Sequence, residues 1–454
     1  MAVISPIVRV VAIVMPALSN VKKVFLSIVC LSLFLGCKKV SNEVAFLEND
    51  LESDSISKIK IENIDENSVI KYSEIFDDVR YIRLETKNES LIGRIDRVIA
   101  TEDKFIILDS SIAKMVFVFN SNGEFLNRIG SNGGGPEEYD EPDDIAYDEY
   151  SNELLVLCHN YKSILRFRLD GTFIGKTMID WWVNSIFVVA ENAYVLFLNN
   201  YTQKDGKKNE YNIVIINKEG KILENLLPYD ESTGKLSPPK PTFSYYNDEI
   251  IFSLQHFNIV YSLNNKEIER KYYWDFGKQK IPASQLKNKT GRELDKMIKD
   301  NEYAYAIASY ETSSHLICQF VYKRMIFDCY YSKESENSKI SACYFNDLYA
   351  LSSNRAFYFL KGDSLISFIE PQSFIQFQKI ANDMKNGKKD INDALFRQSF
   401  PSIQSMFIDK KIKDNYKEIL ESAKITLTNE EIDFVNSIDE SDNPILMIAK
   451  LKNF

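Results

Sequence analysis

Histidine, cysteine and tryptophan are scarce in this chain of 454 residues: three His, six Cys and three Trp. His159, His256 and His315 are scattered and form no Ser-His-Asp pattern, which leaves general-base catalysis hard to argue. Cys158 and His159 are adjacent, so on a strand they point to opposite faces and do not share one zinc without a bulge. Basic residues are outnumbered, 55 Lys and Arg against 65 Asp and Glu; the net charge of −10 argues against a nucleic-acid partner, which wants a basic stripe. No long apolar run is present either. The longest clean one, Val24–Gly36, has thirteen residues, too few to span a bilayer comfortably. The glycine-rich stretch Gly130–Pro136 lacks the Gly-Lys-Ser/Thr and the following helix of a phosphate loop, and reads as a tight link between repeats.

What the chain has in quantity is aromatic residues, 25 Tyr and 29 Phe, which suit the half-buried faces of strands. It also repeats. Phe119-Asn120-Ser121-Asn122-Gly123-Glu124-Phe125 is echoed by Phe167-Arg168-Leu169-Asp170-Gly171-Thr172-Phe173 and by Ile216-Asn217-Lys218-Glu219-Gly220-Lys221-Ile222, the glycines 48 and 49 residues apart. A fourth copy places Asn265 at the turn, and Asn tolerates φ > 0 best among non-glycine residues. Strand, polar-Gly turn, strand is a hairpin signal, and hairpins recurring every 40–50 residues predict a β-propeller with one four-stranded blade per repeat. The fold class is therefore all-β: a six-bladed β-propeller closed by both termini, with a helical insertion in the last blade. Propeller edges left free expose unpaired backbone, so Asn443–Lys452 is expected to pair in the last blade with an early strand from Ser68–Leu84. The insertion, about residues 372–441, carries Phe374, Phe377, Ile380 and Met384, then Ile412, Tyr416, Ile419, Leu420 and Ala423, at helical spacing, and a capping box Thr428…Glu431. A second capping box, Thr290…Glu293, opens a shorter helix.

Lys22-Lys23, the apolar run and then Gly36-Cys37 read as a lipoprotein signal over residues 1–37, with Cys37 as the lipid-attachment residue. The polar, acidic residues 38–67 are expected to be a flexible tether, and 68–454 the propeller. Localisation follows as the cell envelope, with the protein lipid-anchored to a bacterial membrane through Cys37.

The run Phe117–Phe125, then Ile129-Gly130, then Gly133-Gly134-Gly135-Pro136-Glu137-Glu138-Tyr139, and the closing Asn443-Pro444-Ile445-Leu446 resemble the exported six-bladed β-propeller lipoproteins related to NHL-repeat proteins. The resemblance covers about Val79 to Phe454 and implies the fold; it carries little function with it.

Candidate sites are few. Glu137, Glu138, Asp140, Glu141, Asp143 and Asp144 put six carboxylates within eight residues; Ca²⁺ takes such ligands, but the spacing matches no EF-hand loop, and no cofactor is expected. Trp181 and Trp182, between the second and third repeats, are candidates to face a ligand, with Asp144 and Asn184 nearby. Cys318 and Cys329 fall opposite each other in a predicted hairpin, where either a disulfide or two buried thiols would fit. The favoured function is a non-catalytic module binding a protein, peptide or glycan. The alternative is a metal-dependent hydrolase or lyase of the gluconolactonase-like type, with Asp96, Asp144 and Asn184-Ser185 at comparable blade entrances lining a central channel.

Overall fold

The computed structural model describes residues 56–158, 160, 162–198, 210–228, 243–253, 258–264, 266–286, 289, 291–348, 359–386, 414–415, 418–419 and 427–454. Cys37 and the signal region lie outside the described residues. Among the described residues six blades of four antiparallel strands follow in chain order, the fourth extended by one further strand. Blade one comprises Arg97–Ala100, Lys104–Asp109, Met115–Asn120 and Phe125–Ile129; blade two, Asp144–Asp148, Glu153–Cys158, Ser163–Phe167 and Phe173–Met178. Blade three comprises Ser185–Ala190, Ala193–Phe197, Tyr211–Ile216 and Ile222–Pro228; blade four, Phe243–Tyr246, Glu249–Ser253, Ile259–Asn264 and Glu267–Asp275. Blade five comprises Tyr305–Glu311, His315–Tyr322, Met325–Ser332 and Ser338–Ser341. In each, the first strand is innermost. The apolar clusters lie between the faces of neighbouring blades, with Phe105, Phe117, Tyr139, Ile145 and Phe167 buried together between blades one and two.

The glycines that mark the repeat have two physical reasons to be there. Gly123, Gly171 and Gly220 hold φ of +87°, +90° and +83°, which L side chains rarely adopt. Each also abuts the outer strand of the preceding blade. A Cβ at Gly171 would lie 3.1 Å from the Arg128 carbonyl oxygen and one at Gly220 2.9 Å from that of Met178; at Gly123 it would collide with the Arg83 carbonyl. The Glu85 N–H donates to the Gly123 carbonyl at 2.8 Å. The fourth copy's Asn265 lies outside the described residues.

Blade six joins the two ends of the chain. From the centre outward it runs Phe359–Lys361, Ser364–Ile369, Ile445–Leu451 and Phe76–Arg83. The last two are antiparallel, with Ile448 opposite Arg80 and Leu446 opposite Ile82. The closure expected from the sequence is thus present. Asn443 locks it. Buried at 2 % exposure, its side chain donates to the carbonyls of Glu85 and Ser90 at 2.9 and 2.8 Å and accepts from the Ile92 N–H at 2.9 Å. Asp442 pairs with Arg83 at 2.7 Å.

The expected tether needs correction at its C-terminal end. Ser57–Lys60 forms a fifth strand on blade four, parallel to Tyr272–Asp275. The reason is local alternation: Ile59 and Ile61 are buried while Lys58 and Lys60 are exposed, the period of a strand half-covered by a core. Val69–Lys71 then pairs in parallel with Cys343–Phe345, and the chain enters blade six at Phe76. Residues 57–75 therefore strap the outside of blades four and five.

Within the insertion, helices Pro371–Lys385 and Asn429–Asn436 are described, the second capped by the Thr428–Glu431 box. Residues 412–413, 416–417 and 420–423 lie outside the described set. The two helices pack on the propeller itself: the rings of Phe374 and Phe434 sit 6.2 and 6.3 Å from that of Tyr81 on the outermost strand of blade six. A further helix, Gly291–Asn301, connects blades four and five; Thr290 of its expected capping box is outside the described residues.

Cys318 lies opposite Cys329, as the hairpin register predicts. The turn residues Lys323 and Arg324 hold φ of +47° and +66°, the type I′ pattern. A two-residue turn of this kind closes on a hydrogen-bonded pair, Tyr322 with Met325, and four steps back the Cys318–Cys329 pair has the same phase. Hydrogen-bonded pairs hold their Cα atoms about 1 Å further apart than the alternate pairs do. Both thiols are free and buried, and burial pushes Cys329 up to about 12.

Comparing turn glycines separates the two reasons for their presence. Gly362 has φ +56° but open space around its Cβ position. Gly362→Ala is expected to lose ~1 kcal/mol for the left-handed backbone alone, and Gly123→Ala at least twice as much, in urea denaturation. Equal losses would show that the approach to Arg83 contributes nothing.

Candidate functional site

The innermost strands turn one backbone edge toward the axis, and its N–H groups need partners. Neighbouring blades supply them. Asp144 accepts from the Ile186 N–H at 2.9 Å, the Tyr245 hydroxyl accepts from the Val188 N–H at 2.8 Å, and the Asn258 side chain accepts from the Ala306 N–H at 2.9 Å. Each donor sits on the inner strand of a blade adjacent to its acceptor's.

Arg97 and Asp144 are the first residues of the inner strands of blades one and two. They form a buried ion pair in which a single nitrogen, Arg97 Nη1, reaches both Asp144 oxygens at 2.6 and 2.7 Å. Arg97 is 8 % exposed and Asp144 5 %. The guanidinium carbon stands 4.7 Å from the centroid of the Phe187 ring. Arg97 Nε and Nη2 have no protein partner among the described residues, yet neither is a sealed-off buried atom. Phe187, third on the inner strand of blade three, stacks near Phe243 at 4.7 Å and Tyr245 at 6.0 Å. Tyr245 is the third residue of the inner strand of blade four. The residue is 45 % exposed while its hydroxyl is held by Val188, and burial raises its pKa.

A family model described as Domain of unknown function (DUF4934) matches residues 56–397. The chain belongs to this family. The match to DUF4934 opens where the strap begins and stops before the closing strand Ile445–Leu451. Among solved structures, the DUF4934 chain is similar to a protein of Bacteroides fragilis described as exported, at 15 % identity and a TM-score of 0.64, over 87 % of this chain and 100 % of that one. It is also similar to a member of the DUF4221 family from Bacteroides vulgatus, at 12 % identity and a TM-score of 0.43, over 67 % and 93 %. No curated protein matches it. The first of these shares the fold: the DUF4934 chain is a six-bladed β-propeller.

The residues singled out in the sequence occupy different places. Asp144 is turned to Arg97. Asn184 is buried, its N–H donating to the Phe197 carbonyl and its Oδ1 accepting from the Ser185 hydroxyl at 3.0 Å. Trp181 and Trp182 are half-buried on the connection to blade three; Trp181 packs against the core between blades two and three, and the Lys162 ammonium lies 5.8 Å from the Trp182 ring. The alignment of Asp96, Asp144 and Asn184 is off by one residue. The equivalent set is Asp96, Asp143 and Asn184, whose N–H groups each donate at 2.8 Å to the second strand of their own blade; Asp144 corresponds to Arg97 and Ser185. One step along a strand reverses the face, so this shift decides which side chains meet.

The acidic run does not converge. Glu138 caps the Gly135 N–H, Glu141 pairs with Lys114, and Asp144 takes Arg97. Among the described residues no three His, Cys, Asp or Glu side chains are arranged to hold a metal ion. Tyr139, at the end of the glycine-rich loop, is fully buried, with its hydroxyl donating to the Ile129 carbonyl. The loop is thus an inter-blade plug. Arg97, Phe187 and Tyr245 were missed, although Arg97 sits at the repeat position of Asp144 and Tyr245 at that of Phe187.

His315 is fully buried, its ring 5.0 Å from that of the C-terminal Phe454 and its Nδ1 beside the Ser314 hydroxyl. Its Nε2 has no hydrogen-bond partner among the described residues. Burial pushes its pKa down from 6.5 to about 4, with Lys333 acting the same way and Asp363 opposing. His159 and His256 lie outside the described residues.

Two measurements probe these groups. Asp144→Ala leaves Arg97 buried without its counter-charge and should lose ~3–5 kcal/mol, most of it recovered in Arg97→Leu/Asp144→Leu; a double variant no better than the single one would show that the pair's charges are not the issue. For His315, the unfolded chain takes up its proton as pH falls through 6.5 and the folded chain only near 4. Stability should therefore fall across that window, by up to ~3 kcal/mol. His315→Leu should flatten this part of the denaturation profile relative to the unsubstituted protein.

Proposed function

We propose that this protein is a lipid-anchored, non-catalytic propeller at the bacterial cell envelope that binds a protein, peptide or glycan partner. The observation that carries this reading is an asymmetry of connection length. In each antiparallel blade, the connections from outer strand to next inner strand, and from second to third strand, leave from the end where the inner strands begin. Among the described strands, every connection longer than five residues is of these two kinds, including 84–96, 130–143, 179–184 and 276–304. The connections at the opposite end have two to five residues. A rigid ring that places its sequence variety on one rim suits recognition. Trp181 and Trp182 belong to that rim.

The engagement of Asp144 with Arg97, and of Asn184 with Ser185, supports a binding role over a channel site that would need those side chains free. In this reading attachment runs through Cys37.

Metabolic labelling with a palmitate analogue and membrane fractionation test the anchor. The natural chain should be labelled and membrane-bound, and Cys37→Ala unlabelled and released; equal labelling of both would sink this part. For the partner, the immobilised propeller is offered to peptide-display and glycan arrays. Binding should appear on one of them and weaken about tenfold, a loss of ~1.4 kcal/mol, in Trp181→Ala/Trp182→Ala; silence on both arrays would count against a binding module.

A further inference from the structure

We propose that the space beside Tyr245, Phe187 and Arg97 is a subsite for one ring of a neutral saccharide. The inference rests on the reading of the propeller as a binding module and names the ligand class.

Three properties of the site select that chemistry. First, Tyr245 offers a face rather than a hydroxyl. Its oxygen is taken by the Val188 N–H, which fixes the ring, while 45 % of the residue remains open to solvent. A fixed aromatic face of this kind stacks against the C–H face of a sugar. Second, the donors beside it carry no net charge. Arg97 Nε and Nη2 lack protein partners among the described residues, but the positive charge is balanced by Asp144 at 2.6 Å. A carboxylate or phosphate would meet an arginine already neutralised, whereas a sugar hydroxyl or ring oxygen needs only the hydrogen bonds. Third, the Asp144 acceptors are already engaged. Both Asp144 oxygens face Arg97, and one also holds the Ile186 N–H. A sugar's hydroxyls can accept from the open Arg97 nitrogens without needing the Asp144 carboxylate in return. Phe187 joins the elements, touching the guanidinium at 4.7 Å and the Tyr245 ring at 6.0 Å.

The test is saturation-transfer NMR and calorimetry on the purified propeller with maltotriose, cellotriose, mannotriose and galactotriose. At least one should bind. Tyr245→Ala should weaken it about tenfold, and Tyr245→Phe, which keeps the ring, no more than about threefold. Hydroxyl-radical footprinting of the unsubstituted protein gives a second readout that needs no variant: the binding sugar should protect Tyr245, against an equal concentration of a non-binding one. If no trisaccharide binds, or if binding neither responds to Tyr245→Ala nor protects Tyr245, the inference falls. A peptide that binds the unsubstituted protein and is lost in Tyr245→Ala would also overturn the saccharide assignment while leaving the binding module standing. Failure of the module itself is read separately, from silence on both arrays.

Discussion

Between Phe76–Arg83 and Ile445–Leu451 the first and last strands of the propeller form one ladder, and the remaining contacts between blades depend on its staying shut. Six sheets packed face to face bury their apolar surfaces only while the ring is closed; opened at one seam, blade six would lose Ile366, Leu446 and Ile448 from the core they share with blade one. The seam is polar as well as apolar. Asn443 satisfies two carbonyls and one N–H of the stretch that leaves the N-terminal strand, and a buried side chain with three such bonds is not readily replaced. The strap over blades four and five adds parallel pairing to the same end of the chain, covering the outer edge of blade four.

The turn glycines transmit this closure around the ring. Each brings the backbone of one blade against the outer strand of its predecessor, closer than a side chain would ordinarily sit, so the first three blades and the closing one share a single mode of contact. At the axis a different device operates. Inner-strand N–H groups are satisfied by side chains from adjacent blades, and Arg97, Asp144 and Ile186 link blades one, two and three in a chain of charge-assisted bonds. These contacts hold the wall in place and leave Tyr245 and the outer nitrogens of Arg97 directed to other uses.

A ring built this way separates stability from recognition. The short turns at one end tolerate little change, because each is constrained by φ or by a neighbour. The long connections at the other end are free to differ in length without disturbing the ladders, since loop closure grows slowly with length. The two helices of the last insertion show this: they pack on Tyr81 and on each other while the strands on either side keep their register.

Local chemistry was legible without coordinates. The φ > 0 glycines, the alternation of Val79–Leu84 and the Asn443-Pro444 start of the last strand announce hairpins, a blade period and a closure, because each follows from backbone sterics or from period two. Ile59-Lys60-Ile61 carried the same signal inside an acidic segment whose composition pointed to a tether. What the tertiary structure alone decided is which side chains converge. A one-residue offset between repeats turned Asp144 onto Arg97 rather than toward Asn184. Blade-to-blade packing brought Phe187 and Tyr245 together from strands some sixty positions apart in the chain. Strand pattern is a property of a few consecutive residues, whereas a site is a property of the distances between strands, which only the closed ring sets.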